Sequence, residues 1–301
     1  RVELPKNSSV NATITKVKDI REQLSKYDFI EGDFWFVGRK LPRVLGNVVG
    51  GNSELGSNNE ANAVYFTSSY WTMKNNIDMI AKELVKNNPE VRIIVDQFSS
   101  GPPVFADIEY QILGEDQDIL TELGNRLELI LSKAPDVYLT RSQSNEYETN
   151  LEIDFDNSSI AYSSSDMDSL INEINFASNG VVIGSMLDGS KELPIRLKRG
   201  EEASSDISQA SLLSISGKNG IEYIENFSDI KLSRKLGAFS RYKGERENGV
   251  KAWTWPRSLP SVSEEYLRED ILNFKVNLPS GYRLEQAGEA AESAESNAQL
   301  F

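Results

Sequence analysis

Residues 63–98 read AVYFTSSYWTMKNNIDMIAKELVKNNPEVRIIVDQF. Ala63 to Phe66 is β-branched and aromatic, the composition of a strand. From about Thr72 onward, Ile77, Ile80, Ala81 and Leu84 fall on one face of a helix. Pro89 stops that helix after Asn87-Asn88, because proline lacks the N–H and clashes with a continuing turn. Val91 to Phe98 then reads as a second strand. The stretch is one strand–helix–strand unit.

The same unit recurs on both sides. Val2-Leu4 precedes a helix with Val10, Ile14, Val17, Ile20 and Leu24 at steps of three and four, followed by a strand from Phe29 to Val37. Ile108 to Ile112 alternates like a half-buried strand. Its helix carries Ile119, Leu120, Leu123, Leu127, Ile130 and Leu131, ends at Ala134-Pro135, and is followed by Val137 to Thr140. The last unit is Val250 to Trp255, a helix from Ser263 with Leu267, Ile271, Leu272 and Val276, then Leu278-Pro279 and a strand at Tyr282 to Leu284. Three of the four units place a proline just before the exit strand. Taken in pairs they spell βαββαβ twice, the split βαβ or ferredoxin-like arrangement, so the fold class is α+β.

Between the third and fourth units, Asn145 to Gly249 has its own pattern. Leu151 to Phe155 alternates as a strand. Ser164-Ser165-Asp166 reads as a helix cap, with Leu170, Ile171, Ile174 and Ala177 on the helix behind it. Val181 to Ile183, Ile195 to Leu197 and Ile221 to Ile224 read as short strands. This segment is an insertion in the second βαββαβ unit.

The chain has 301 residues, with 32 Lys+Arg against 46 Asp+Glu, a net charge of −14. Such acidity, at pI 4.7, argues against nucleic acid or anionic lipid as the main partner. With no histidine and no cysteine, no Ser-His-Asp triad, Cys-His dyad, structural zinc site or thiol redox centre can form. Carboxylate, Ser-Lys and Tyr chemistry stay open, and an enzyme is the weaker reading. The start at Arg1, without Met or an apolar leader, and the stop at Phe301 read as a piece of a longer chain.

Several motifs fail on inspection. Gly46 to Ser53 has P-loop glycine spacing, but Asn52 stands where the phosphate-binding lysine belongs. Gly184 to Gly189 repeats the spacing with its last two residues reversed, and Asp188-Gly189 reads as a hairpin turn. Asp154 to Asn157 opens like a calcium loop, yet Ser159 and Ser165 replace the required Gly and Glu. Met73, Met79, Met167 and Met186 are scattered over different units, whereas a soft-metal site needs convergent sulfurs. Phe34-Trp35-Phe36 sends two aromatics to one sheet face and one to the other. The long polar loop Arg39 to Asn62 follows directly, and loops of that kind are usually functional or disordered.

Gly101-Pro102-Pro103-Val104, followed by Ile108 to Gly114, resembles a signature of resistance-nodulation-division (RND) efflux transporters of the AcrB/AcrD/AcrF type. So do Ile153 to Asp156, Gly180 to Gly184 and Asp188-Gly189-Ser190-Lys191-Glu192-Leu193-Pro194-Ile195-Arg196-Leu197. Arg246 to Gly249, Gly288 and Asn297 to Phe301 fit the same pattern. The resemblance is to the second large periplasmic loop of such a permease, and it covers essentially the whole chain. It implies porter subdomains at 1–103 and at 104–149 with 238–288, a docking subdomain at 150–237, and a lead-in to a membrane helix at 289–301. It also implies the periplasmic portion of a bacterial inner-membrane protein and proton-driven export rather than catalysis, with no cofactor and no metal in this stretch.

The implied partners are a homotrimer in the full pump, a periplasmic adaptor (membrane fusion) protein, an outer-membrane channel and small amphiphilic substrates, with no nucleic acid. The implied substrate-binding residues are Phe34, Phe36, Tyr65 and Arg141. The implied switch loop, Gly38 to Asn62, includes Gly38, Gly46, Gly50, Gly51 and Gly56. The loop is longer and more polar than the Phe- and Gly-rich form of a broad multidrug pump. A copper or silver exporter and a free-standing periplasmic solute-binding or assembly module remain the alternatives.

Overall fold

The computed structural model describes residues 1–39, 57–97, 106–145, 147–163, 167–198, 214–217 and 220–288. In chain order the elements are β1 (Val2–Glu3), α1 (Val10–Leu24), β2 (Ile30–Val37), β3 (Glu60–Thr67), α2 (Tyr70–Asn87), β4 (Arg92–Ile93), β5 (Ile108–Leu113), α3 (Gln117–Leu131), β6 (Val137–Ser142) and β7 (Tyr147–Phe155). They continue with α4 (Asn157–Ser163), α5 (Met167–Asn179), β8 (Val181–Asp188), β9 (Lys191–Leu197), β10 (Ser214–Gly217), β11 (Gly220–Tyr223), β12 (Ser228–Leu236), β13 (Ser240–Tyr242), β14 (Glu245–Thr254), α6 (Pro260–Val276) and β15 (Arg283–Ala287). The chain forms two compact units: Arg1–Glu148 with Leu236–Phe301, and Thr149–Lys235.

The first unit holds two antiparallel sheets. One has the order β2-β3-β1-β4, the strand order of a split βαβ. Its core is Val2, Ile20, Leu24, Ile80, Leu84 and Ile93. Helix α2 buries Ile77, Ile80, Ala81 and Leu84, the four positions its spacing predicts. Ser69 caps it, accepting a hydrogen bond from the Thr72 amide.

Helix α1 departs from expectation by one residue. Thr13 is fully buried and Ile14 faces out. A buried hydroxyl is tolerated when it is bonded, and Thr13 Oγ1 donates to the Asn58 carbonyl at 2.7 Å. Strand β4 is two residues long where Val91 to Phe98 was expected. Its partner β1 is equally short, so the ladder has nothing to extend along.

In the other sheet β14 pairs with β13 through its first residues and with β6 through its last, while β5 lies between β14 and β15. Ile108, Ile112, Leu120, Leu127, Val250 and Leu267 lie in its core. Asn248 is fully buried there. Its Nδ2 donates to the Leu120 carbonyl at 2.8 Å, and its Oδ1 accepts from the Ser144 amide at 3.1 Å. Gly124 makes room for this amide, since a Cβ there would come within 2.0 Å of Asn248 Nδ2.

Helix α6 begins at Pro260 rather than Ser263, consistent with the preference of proline for a first turn. Its inward stripe is Ser263, Leu267, Ile271 and Phe274. Leu272 and Val276 lie off that stripe and are exposed. Ile119 on α3 and Ile171 on α5 also point outward.

The second unit packs Ile160, Leu170, Ile224 and Phe227 in its own core, with β7 paired to β12. Strands β8 and β9 form a hairpin whose turn places Gly189 at φ 60°. That left-handed position explains the glycine. Asp156 follows β7 and accepts from the Ser158 amide at 3.0 Å. Hydrogen bonds from the Ser158 and Ser159 hydroxyls hold its carboxyl at about 2. The expected cap at Ser164 to Asp166 lies outside the described residues.

Candidate functional site

The register of β2 on β3 sets Phe34 opposite Val64, Phe36 opposite Asn62 and Gly32 opposite Phe66. Alternation therefore puts Phe34, Phe36, Val64 and Phe66 on one sheet face. Phe34 is 63% exposed and Phe66 49%. Their ring centroids are 5.7 Å apart at 89°, an edge-to-face pair across the diagonal of the ladder. Gly32 presents no side chain opposite Phe66, and space around it is open. The result is an aromatic patch on the side of the sheet away from its helices, bordered on the same face by Asn62, Glu60 and Glu3.

Tyr65 does not join that surface. It lies on the opposite, helix-facing side with Trp35, the two packed on the buried cluster of β1, α1, α2 and β4. The rings of Trp35 and Tyr65 meet edge to face at 6.0 Å. Trp35 Nε1 donates to Asp33 Oδ2 at 2.7 Å and to Tyr65 Oη at 3.2 Å. Arg21 clamps the same Asp33 with both carboxylate oxygens engaged, at 2.6 and 2.8 Å. Burial pushes the Tyr65 phenol above its ordinary range. This is a structural network, with Tyr65 among its fixed members.

Arg141 is also engaged. On β6, its Nη1 lies 3.2 Å from Glu3 Oε2 and 3.3 Å from Oε1. The Glu3 side chain is only 5% exposed and further pairs with Arg1 at 2.6 Å. Arg141 thus ties the β6 sheet to β1 of the other sheet, through a carboxylate that the register sets on the same sheet face as Phe34 and Phe36.

Of the predicted loop glycines, Gly38 closes β2 with φ 65° and its amide donates to the Glu60 carbonyl at 2.8 Å. A Cβ at Gly38 would meet Val10 at 3.3 Å, in a backbone conformation that side chains rarely adopt. Gly46, Gly50, Gly51 and Gly56 lie outside the described residues, as do Gly101 to Val104. Phe66 and Val64 complete the aromatic face without having been singled out. Their signal is alternation within β3, which acquires meaning only with the β2 register.

Met73 and Met79 sit on α2 six residues apart, on different sides of the helix, while Met167 and Met186 belong to the second unit. Among the described residues no cluster of three or more carboxylates could hold a metal ion. None of the helices there is long and apolar enough to cross a membrane.

The sequence model of the AcrB/AcrD/AcrF family matches residues 1–301. The chain belongs to the AcrB/AcrD/AcrF family. This is a family of RND efflux pumps, transporters rather than an enzyme class. Among solved structures, two crystal forms of a heavy metal efflux pump share the fold, with TM-scores of 0.78 and 0.76 at 14% identity. Each match covers 99% of this chain and 31% of the pump chain, so the protein spans under a third of those pumps' length. No curated protein matches it.

Proposed function

We propose that the chain is the periplasmic substrate-binding and partner-docking region of a proton-driven RND pump that exports amphiphilic compounds. The observation that carries this reading is the aromatic face of Phe34, Phe36 and Phe66 on β2 and β3, with Phe34 and Phe66 exposed and Phe36 half-buried. The aromatic part of that face recognises area rather than a fixed pattern, at roughly 25 cal/mol per Å² covered. Unrelated amphiphiles can therefore share it.

In this reading residues 1–103 and 104–149 with 238–288 are porter subdomains, and 150–237 is the docking subdomain. The compactness of Thr149–Lys235 supports that last division. Residues 289–301 lead into a membrane helix. Export requires the porter subdomains to move as rigid bodies so that the face is alternately open and closed. The full pump assembles as a trimer with a periplasmic adaptor and an outer-membrane channel.

A second reading, metal export, is favoured by the shared fold with heavy metal efflux pumps and weakened by the separation of Met73 from Met79. The experiment is growth of a pump-deficient bacterial strain carrying the full-length gene. Protection against several unrelated amphiphiles supports the proposal. Protection against copper or silver salts alone replaces it with the second reading, and no protection overturns both.

A further inference from the structure

The first turn of α2 carries Tyr70 and Trp71, 59% and 67% exposed. Their ring centroids are 5.3 Å apart at 72°. Lys74 Nζ lies 5.7 Å from the Tyr70 ring and 5.5 Å from the Trp71 ring. Among the described residues no carboxylate pairs with Lys74. Single exposed aromatics are ordinary, but two adjoining rings under one unpaired ammonium form a defined surface.

Strand directions place that surface. Val2 pairs with Ala61, and β3 runs on to Thr67, so α2 starts beyond the Arg1 end of β1. Strands β14 and β15 both pair antiparallel with β5, which brings Trp255 and Gly288 out at one end of their sheet. Trp255 and the residues after it adjoin α2 two to three turns past Tyr70, where the Arg257 amide donates to Asp78 Oδ1 at 3.0 Å and Lys82 Nζ lies 5.4 Å from the Trp255 ring.

We propose that Tyr70, Trp71 and Lys74 seat this end of the protein on the headgroup layer of a phospholipid membrane. The proposal rests on the reading of the chain as one loop of a membrane pump, in which β1 and β15 join the membrane part through Arg1 and Gly288. Indole and phenol rings are apolar bodies with one polar tip, which suits them to the membrane–water boundary. Lysine extends its stem along apolar surface and delivers its ammonium to a phosphate. Lys74 already occupies the cation position over both rings, so a lipid phosphate fits the site and a cationic drug does not. The contact would fix the height of the α2 end above the bilayer while the sheets move.

The test is co-flotation of the 301-residue chain with phosphatidylcholine vesicles, zwitterionic so that the net charge of −14 is not itself repelled. The wild type is expected to float. Tyr70→Ser/Trp71→Ser is expected to lower the bound fraction on the order of tenfold, from the ring area no longer covered. Tyr266→Ser/Val276→Ser removes side chains of similar exposure on α6 and is expected to leave flotation unchanged. A wild type that stays unbound at millimolar lipid overturns the proposal, as does equal loss in both variants or retained binding in the first. None of these results alters growth protection by the pump, so the proposal can fail while the efflux reading stands.

Discussion

Replacing Gly124 with alanine forces a methyl to within 2.0 Å of Asn248 Nδ2 and 2.6 Å of Ser142 Oγ. Overpacking of a full core costs about 1–3 kcal/mol. The displaced Asn248 amide also loses its bonds to the Leu120 carbonyl and the Ser144 amide, leaving a buried donor at about 1–3 kcal/mol. Alanine returns about 1 kcal/mol of helix propensity. Gly124→Ala should therefore destabilise by about 3 kcal/mol. Asn248→Ala alone orphans the same Ser144 amide and opens a small cavity, at about 3 kcal/mol.

In the double variant the closest clash is gone and the propensity gain remains, so the loss should be about 2 kcal/mol, far below the sum of the singles. The assay is urea unfolding followed by tryptophan emission. Trp35, Trp71, Trp253 and Trp255 all lie in the first unit, so the signal reports that unit alone. Additive losses in the double variant would refute the argument that Gly124 exists to admit Asn248.

Two further predictions use the same assay. Glu247 Oε2 is buried without a hydrogen-bond partner, and its carboxyl is raised above 4.5 by burial first and by Glu109 second, against the pull of Lys251. Below pH 4.5 both states hold the proton. As pH rises the unfolded chain releases it first, and stability falls until the folded group also ionises. Glu247→Gln should therefore gain stability over wild type above pH 4.5 and not below, and an equal difference at both pH values would count against this. Arg141→Met withdraws one partner from Glu3, which keeps Arg1 at 2.6 Å and Arg92 at 4.0 Å. The expected loss is about 2 kcal/mol, less than for a fully abandoned buried charge, and an unchanged midpoint would show that the pair contributes nothing.

The helices were legible because their signal is local. Ile77, Ile80, Ala81 and Leu84 are set by the helical period within eight residues, and each is buried. Thr13 and Ile14 show the limit: hydropathy favours Ile14, but the Asn58 carbonyl that satisfies Thr13 lies 45 residues away. The site was legible in halves. The alternation of Phe34 and Phe36 placed two rings on one face, whereas Phe66 joined them only through the pairing of Phe34 with Val64. Tyr65 was grouped with them by resemblance, yet it is one residue out of phase with Val64 and Phe66 and so faces the helices. Arg141 likewise meets Glu3 across 138 residues, a pairing that no local pattern carries.

The central claim is that the β2–β3 aromatic face takes up the exported compound. The direct measurement is growth protection by the full-length pump carrying Phe34→Ala/Phe66→Ala, compared with wild type at equal expression. Phe34 is largely and Phe66 about half exposed, so the fold should survive their removal. Protection against some or all amphiphiles should fall, because roughly 25 cal/mol is lost for each Å² of ring that a substrate would cover. Undiminished protection against every compound would contradict the account.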